Sequence, residues 1–183
     1  MRIVAGKHKG RTLAAPKGHD TRPTSDRTRG AVFNILEHGI EGLSLRDTHV
    51  LDVFAGTGAL GLEALSRGAA HATFIEQGRE ALKCLSGNIQ ALKVEGQTKT
   101  LKTDATRPAT TEQPCNLVFL DPPYGKELVT KALMALKAKG WIAAGATIVA
   151  EVGSKEDIAL PEGFVVLDER TYGAAKIVIA RTS

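Results

Sequence analysis

The stretch "NLVFLDPPYG", Asn116 to Gly125, ends an apolar run in an acid, two prolines and an aromatic ring. A strand exit needs only a turn, which proline and glycine supply. Asp121, Pro122, Pro123 and Tyr124 together suit a further task. The exocyclic amine of a nucleobase is a poor nucleophile, because its lone pair is delocalised into the ring. Two acceptors that take its N–H hydrogens pull the nitrogen toward tetrahedral geometry and aim the lone pair. The Asp121 carboxylate is one such acceptor and the Pro122 carbonyl the other. Both prolines lack an N–H and have a fixed φ, so the segment resists collapse onto its own backbone. Tyr124 offers a flat face to a base taken out of its stack. Such stacking is worth about 1–3 kcal/mol, comparable with the few kcal/mol that extruding a base costs. Catalysis would be positioning plus electrostatics, with no covalent enzyme intermediate. Asp121 need not be a strong base, since the amine becomes far more acidic as its new bond forms.

A second motif supplies the donor side. "LDVFAGTGALG" places Gly56, Gly58 and Gly61 in a G-x-G-x-x-G pattern at a strand-to-helix turn. Glycines there permit a tight turn and close approach of a ligand to the backbone. The pattern alone also fits a dinucleotide whose pyrophosphate sits on the helix N-terminus. Asp52, four residues ahead of Gly56, separates the two: its carboxylate repels a pyrophosphate and suits a ligand with an ammonium group. S-adenosylmethionine carries an amine and a sulfonium and no phosphate. Glu76, ending the next apolar run, is placed for the ribose hydroxyls, a role that NAD would also satisfy. Asp104, in "LKTDAT", suits the adenine amino group. The expected cofactor set is Asp52, Phe54, Ala55, Gly56, Thr57, Gly58, Gly61, Glu76, Gln77, Asp104 and Ala105.

These residues need a scaffold that brings strand ends together. From residue 49 onward, apolar runs that read as strands ("HVLDVF", "HATFIE", "TKTLKT", "NLVFLD", "ATIVAEV") alternate with helical stripes. "GALGLEALSRG" is closed by Arg67 and Gly68, a later helix carries Leu82, Leu85, Ile89 and Leu92, and another carries Val129, Ala132, Leu133 and Leu136. "GFVVLDERTY" and "AKIVIART" are near enough to pair antiparallel. Before them, "RPTSDRTRGAVFNILEH" reads as a helix capped by Thr24 or Ser25, with Ala31, Val32, Ile35 and Leu36 as its stripe. The pattern predicts one α/β domain, a parallel sheet covered on both faces. Residues 1–22 form a basic arm, with "RIVAGKHKGRTL" as a short hairpin, and 23–183 form the main domain.

At 183 residues, with 43% hydrophobic and 24% charged content, the chain can build one sizeable core. No stretch reaches a membrane span, and "MRIVAGKHKG" lacks the apolar core of a secretion signal. Cys84 and Cys115, and the five histidines, show no ligand spacing, so a cytosolic protein without a metal is expected. The net charge of +4 is unevenly spread. Eight basic residues against two acidic ones leave residues 1–30 at +6, and the other 153 residues at −2. A basic segment on a near-neutral body points to a polyanionic partner.

"LDVFAGTGALGLEALSRGA", "FIE", "VFLDPPYG" and "RPTSDRTRGAVFNIL", behind a basic "G..KGR.L" arm, resemble the bacterial 16S ribosomal RNA guanine-N2 methyltransferases of the RsmD type. The similarity runs from about Arg2 to Arg181. The resemblance implies a Rossmann-like class I methyltransferase fold with a seven-stranded, mostly parallel sheet whose last strand is antiparallel. It also implies an RNA-contacting hairpin and transfer to one guanine of the small ribosomal subunit; a monomer is expected. On that match Arg22, Thr24 and Arg27 lie beside the cofactor or the target nucleotide, and Arg2, Lys7, Lys9 and Arg11 contact RNA. One departure is visible: Glu76 is followed by Gln77 and Gly78 where family members often carry a second acid. Rival readings are another methyl acceptor (adenine N6 or cytosine N4 of DNA or RNA, or a protein amide), a dinucleotide oxidoreductase, and a non-catalytic RNA-binding assembly factor.

Overall fold

The computed structural model describes residues 1–16, 25–123 and 127–183. Its elements run α1 (Asp26–His38), β1 (His49–Val53), α2 (Ala59–Ser66), β2 (His71–Glu76), α3 (Arg79–Leu92), a 3-10 turn (Glu95–Gln97) and β3 (Thr98–Lys102). Then come β4 (Cys115–Leu120), α4 (Leu128–Ala138), β5 (Ile142–Gly153), β6 (Phe164–Tyr172) and β7 (Ala175–Thr182). Seven strands form one sheet in the order β3-β2-β1-β4-β5-β7-β6. All neighbours are parallel except β7, which is antiparallel to β5 and β6. The β6–β7 hairpin turns through Gly173 and Ala174, with Gly173 at φ 62°, a positive value of the kind tight hairpin turns require.

The continuous apolar runs of β1, β2 and β4 become central strands because both sheet faces are covered. On one face α1, α2 and α3 pack Val32, Phe33, Leu36, Leu62, Leu65 and Leu85 against Phe74 and Phe119. On the other, α4 sets Leu133 and Leu136 against Val118 and Ile148, with Trp141 and Phe164 beside them. Two differences from the sequence pattern are physical. In α1 the buried stripe is Arg29, Val32, Phe33 and Leu36, and Ala31 is only half-buried, because the ring of Phe33 reaches Phe119 with centroids 5.5 Å apart. β5 starts four residues earlier than its apolar run, continuing past a bulge in its pairing with β4.

The arm is a narrow hairpin with a single antiparallel bridge, Arg2 to Thr12. The Ile3 N–H donates to the Arg11 carbonyl and the Gly10 N–H to that of Ile3, both at 2.9 Å. Ile3 and Leu13 are buried in the core shared with α1 and α2. Ser25 caps α1, its hydroxyl accepting the Thr28 N–H at 3.0 Å. The expected boundary at residue 22 and the alternative cap Thr24 lie outside the described residues.

Candidate active site

The chain order turns outward from β1 in both directions, to β2 and β3 on one side and to β4 and β5 on the other. That switch point opens a crevice at the carboxyl ends of β1 and β4, where open α/β sheets bind ligands. The register puts Asp52 level with Phe74 of β2 and Phe119 of β4. Asp121 follows one residue after Leu120, and its N–H reaches the Val53 carbonyl at 3.4 Å. Asp121 is half-buried, Pro122 buried and Pro123 exposed, so the turn leaves the sheet at once. Tyr124 lies outside the described residues.

The three loop glycines do different jobs. At Gly61 a Cβ would lie 2.5 Å from the Phe74 ring and 3.2 Å from the Asp52 carboxylate, so only glycine lets α2 seat this closely. At Gly58, with φ 79°, a Cβ would lie 2.4 Å from Leu85. Gly56, at φ 56°, faces open space, with nothing nearer than 4.0 Å. That is the position where a ligand can approach the backbone. Phe54 also takes a positive φ of 60°, and the loop is tied down by Ala55 N–H to the Ile75 carbonyl (3.0 Å) and Gly58 N–H to that of Ala55 (2.7 Å). Thr57 is half-buried beside them.

Asp52 differs from an open strand-tip acid: it is 2% exposed, lies beneath the loop, and its Oδ2 accepts the Gly61 N–H at 2.8 Å. Burial pushes its carboxyl up to about 8, and the neighbouring Asp121 and Glu76 carboxylates add to that rise. Glu76 accepts three backbone N–H groups: Gly56 on Oε2 at 2.8 Å, and Gln77 and Gly78 on Oε1 at 2.8 and 2.7 Å. A carboxylate has about four lone-pair directions, so one remains, on the oxygen facing the loop. Asp104 lies at the exit of β3 with Ala105 buried behind it. Its Oδ1 accepts both the N–H and the hydroxyl of Thr106 at 2.8 Å, which hold its carboxyl below the ordinary carboxylate range. The crevice therefore gathers acids from β1, β2 and β4, with Asp104 beyond β2 at the exit of β3.

The arm is fastened to these elements by polar side chains inside the helices, none of them among the residues expected from the sequence. Glu63, fully buried in α2, accepts the Val4 and Ala5 N–H groups (2.8 and 3.0 Å) and the Arg67 guanidinium (2.9 Å). Arg29, also fully buried, donates to the Arg2 carbonyl and pairs with Asp26 at 2.9 Å. Asn88 of α3, 2% exposed, reaches both parts at once. It accepts the Ala14 N–H at 2.7 Å and donates to the Ala14 carbonyl and to the Thr57 carbonyl of the glycine loop, both at 3.0 Å. The cations of the arm are spread along it. Arg2 pairs with Asp26 at 3.5 Å, Lys7 donates to the Gln97 side chain at 3.0 Å, and Lys9, Arg11 and Arg27 are exposed. The Lys7 N–H bonds the Ser66 carbonyl at 2.8 Å, so the hairpin tip sits at the far end of α2 from the loop. Arg22 lies outside the described residues.

The model of the family described as conserved hypothetical protein 95 matches residues 1–181. The ribosomal RNA small subunit methyltransferase D of Escherichia coli is 41% identical over 152 residues, covering 82% of this chain and 74% of that relative. The chain belongs to this family, the RsmD-type methyltransferases. The protein of the same description in Haemophilus influenzae is 33% identical over 177 residues, covering 94% of this chain and 89% of its own. A solved structure of a candidate methyltransferase from Escherichia coli superposes with a TM-score of 0.85 at 35% identity, covering 100% of this chain and 97% of that one. The Rossmann-like class I fold expected from the sequence is thus the fold of this RsmD-type methyltransferase. Among the described residues no cluster of ligating side chains suits a metal, and no helix is long and apolar enough to cross a membrane.

Proposed function

We propose that this chain transfers a methyl group from S-adenosylmethionine to the exocyclic N2 of a guanine in the 16S ribosomal RNA of the small ribosomal subunit. The observation that carries the reading is the meeting of Asp121 and Pro122 with the acid-lined glycine loop at one switch point. The names of the relatives supply the substrate: those from Escherichia coli and Haemophilus influenzae are ribosomal RNA small subunit methyltransferases. The residues present fit the donor. Gly56 leaves room for close approach, Glu76 and Asp121 lend the crevice negative charge, and Asp52 beneath the loop can give up its proton to a cation above it, which suits a sulfonium and opposes a phosphate.

When bound, S-adenosylmethionine supplies an electrophilic methyl on a sulfonium. Asp52 works from beneath the loop, by its field and by fixing the Gly61 amide. The remaining lone pair of Glu76 takes a ribose hydroxyl, Gln77 borders it, and Asp104 with Ala105 borders the adenine. Phe54, Ala55, Thr57 and Gly58 shape the loop around the ligand. Asp121 and the Pro122 carbonyl accept the two hydrogens of the guanine amine, Pro123 keeps the turn stiff, and Tyr124 stacks on the extruded base. Arg2, Lys7, Lys9, Arg11, Arg22, Thr24 and Arg27 contact the RNA backbone. Labelled methyl transfer to 30S particles from a strain lacking the enzyme, followed by nucleoside analysis, tests the reading. Labelled N2-methylguanosine is the expected product; label in adenine, cytosine, DNA or protein overturns it.

A further inference from the structure

Gly87 stands in the middle of α3, where glycine is among the worst helix formers, yet no neighbour requires it: a Cβ there would meet nothing within 4 Å. It lies on the floor of a solvent-open groove of about 520 Å³ between the outer face of α3 and the end of β3. Arg79, Lys83 and Lys102 line that groove, with Ser86 and Gln90 along its length. Lys83 pairs with the exposed Glu80 at 2.8 Å, whereas Arg79 and Lys102 make no ion pair among the described residues.

The position of the groove matters as much as its charge. Its upper end is the cofactor edge, since Arg79 begins α3 three residues after Glu76 and Lys102 is the register partner of Glu76. Its lower end, at Gln90, approaches the turn containing Gln97, which holds the arm's Lys7. Residues 79–102 carry five cations against two acids, a net +3, in a body whose remaining residues after 30 sum to −5. Arg79, Lys83 and Lys102 thus concentrate positive charge at the groove's crevice end, and its glycine lets a bulky backbone lie close to the helix.

We propose that this α3–β3 groove is a second binding surface for the ribosomal RNA phosphate backbone, separate from the arm. The proposal rests on the methyltransferase reading above and extends its RNA footprint. Gly87→Glu is the informative variant, because glutamate favours the helix and its side chain enters open space. It should raise Tm by a few degrees while weakening binding to a full-length 16S rRNA transcript about tenfold. The combined Arg79→Ala, Lys83→Ala and Lys102→Ala variant should lower the slope of log affinity against log salt by about 0.7–0.9 for every phosphate that is no longer neutralised. S-adenosylhomocysteine affinity should stay within twofold in the Gly87→Glu variant. Lys139→Glu, at the C-terminal end of α4, controls for net charge and should leave RNA binding within twofold. RNA affinity and salt slope that match wild type in both groove variants overturn the proposal, as does an equal loss in Lys139→Glu. A wild-type protein that binds no ribosomal RNA overturns this proposal together with the functional reading; wild-type methylation with unaffected groove variants overturns this proposal alone.

Discussion

Asp121 and Asp52 are two carboxylates on adjacent strand ends with different environments, and each predicts its own behaviour. Asp121 is half-buried at the exit of β4, close enough to Asp52 for its charge to be felt there. Asp121→Ala removes an acceptor used only when the amine is aimed, so kcat should fall at least about a hundredfold, the scale of removing one aimed electrostatic interaction. Donor affinity should change by less than about threefold; near-normal turnover in single-turnover assays would refute the acceptor role. Asp52 is buried and its carboxyl is pushed up to about 8. The folded state therefore holds a proton that the unfolded chain gives up near its ordinary value of 3.8. The stability that this group contributes is fully present below that ordinary value and is lost as pH rises toward 8. One pKa unit corresponds to about 1.4 kcal/mol, so denaturant titrations of the ligand-free protein between pH 5 and pH 9 should show a loss of at least about 1 kcal/mol. Asp52→Asn should flatten that loss. A cation above the loop favours the carboxylate, so donor affinity should rise with pH over the same window, with net proton release in calorimetry; a pH-independent affinity would sink the argument.

At the scale of elements, the arm, α2, α3 and the glycine loop are fastened to one another. Asn88→Ala removes the partner of the Ala14 and Thr57 backbone groups at a part-buried place, a loss of about 0.5–1.5 kcal/mol for each hydrogen bond. A purely structural loss would lower Tm and leave KM values alone. Loss of positioning should raise KM for donor and RNA together, several-fold each, with kcat little changed at saturation. The central strands and the helices were legible because apolar runs and helical stripes are local, repeated signals. Asp121, the glycine loop and Glu76 were legible because each stands at the end of such a run. Asn88, Glu63 and Arg29 were not read, since each bonds backbone atoms 27 to 74 residues away. A signal did exist: all three sit within apolar stripes, Asn88 beside Ile89, Glu63 between Leu62 and Ala64, and Arg29 one turn before Val32 and Phe33. A polar side chain on the buried face of a helix must find partners, and here those partners belong to the arm. Asp52 looked like an open strand-tip acid because nothing local reveals that Gly61 lies over it.

For the molecule as a whole, the arm's tip and the catalytic crevice lie at opposite ends of α2, about 12 Å apart for eight residues of helix. An RNA that touches both must be longer than an isolated nucleotide. Neutralising Lys7, Lys9 and Arg11 to Ala should weaken binding to the 16S rRNA transcript and reduce its salt slope by about 0.7–0.9 per phosphate left without its cation. Gel-shift titrations across salt would detect this, and an unchanged slope would remove the arm from the RNA interface. The basic first thirty residues and the −2 of the rest set the sign of this surface.

The Asn88 side chain, with one hand on Ala14 and the other on Thr57, joins the arm proposed to hold RNA to the loop proposed to hold the donor. Whatever factor RNA adds to the donor's affinity, the donor must return to RNA. If the field of the loop acids sets that factor, loss of the positive charge on methyl transfer lowers it, and RNA is held more weakly beside the product than beside the donor. Completion of the transfer thus carries its own signal to let go, read out as weaker RNA binding with S-adenosylhomocysteine than with a positively charged donor analogue. That difference should vanish when Asn88 is replaced.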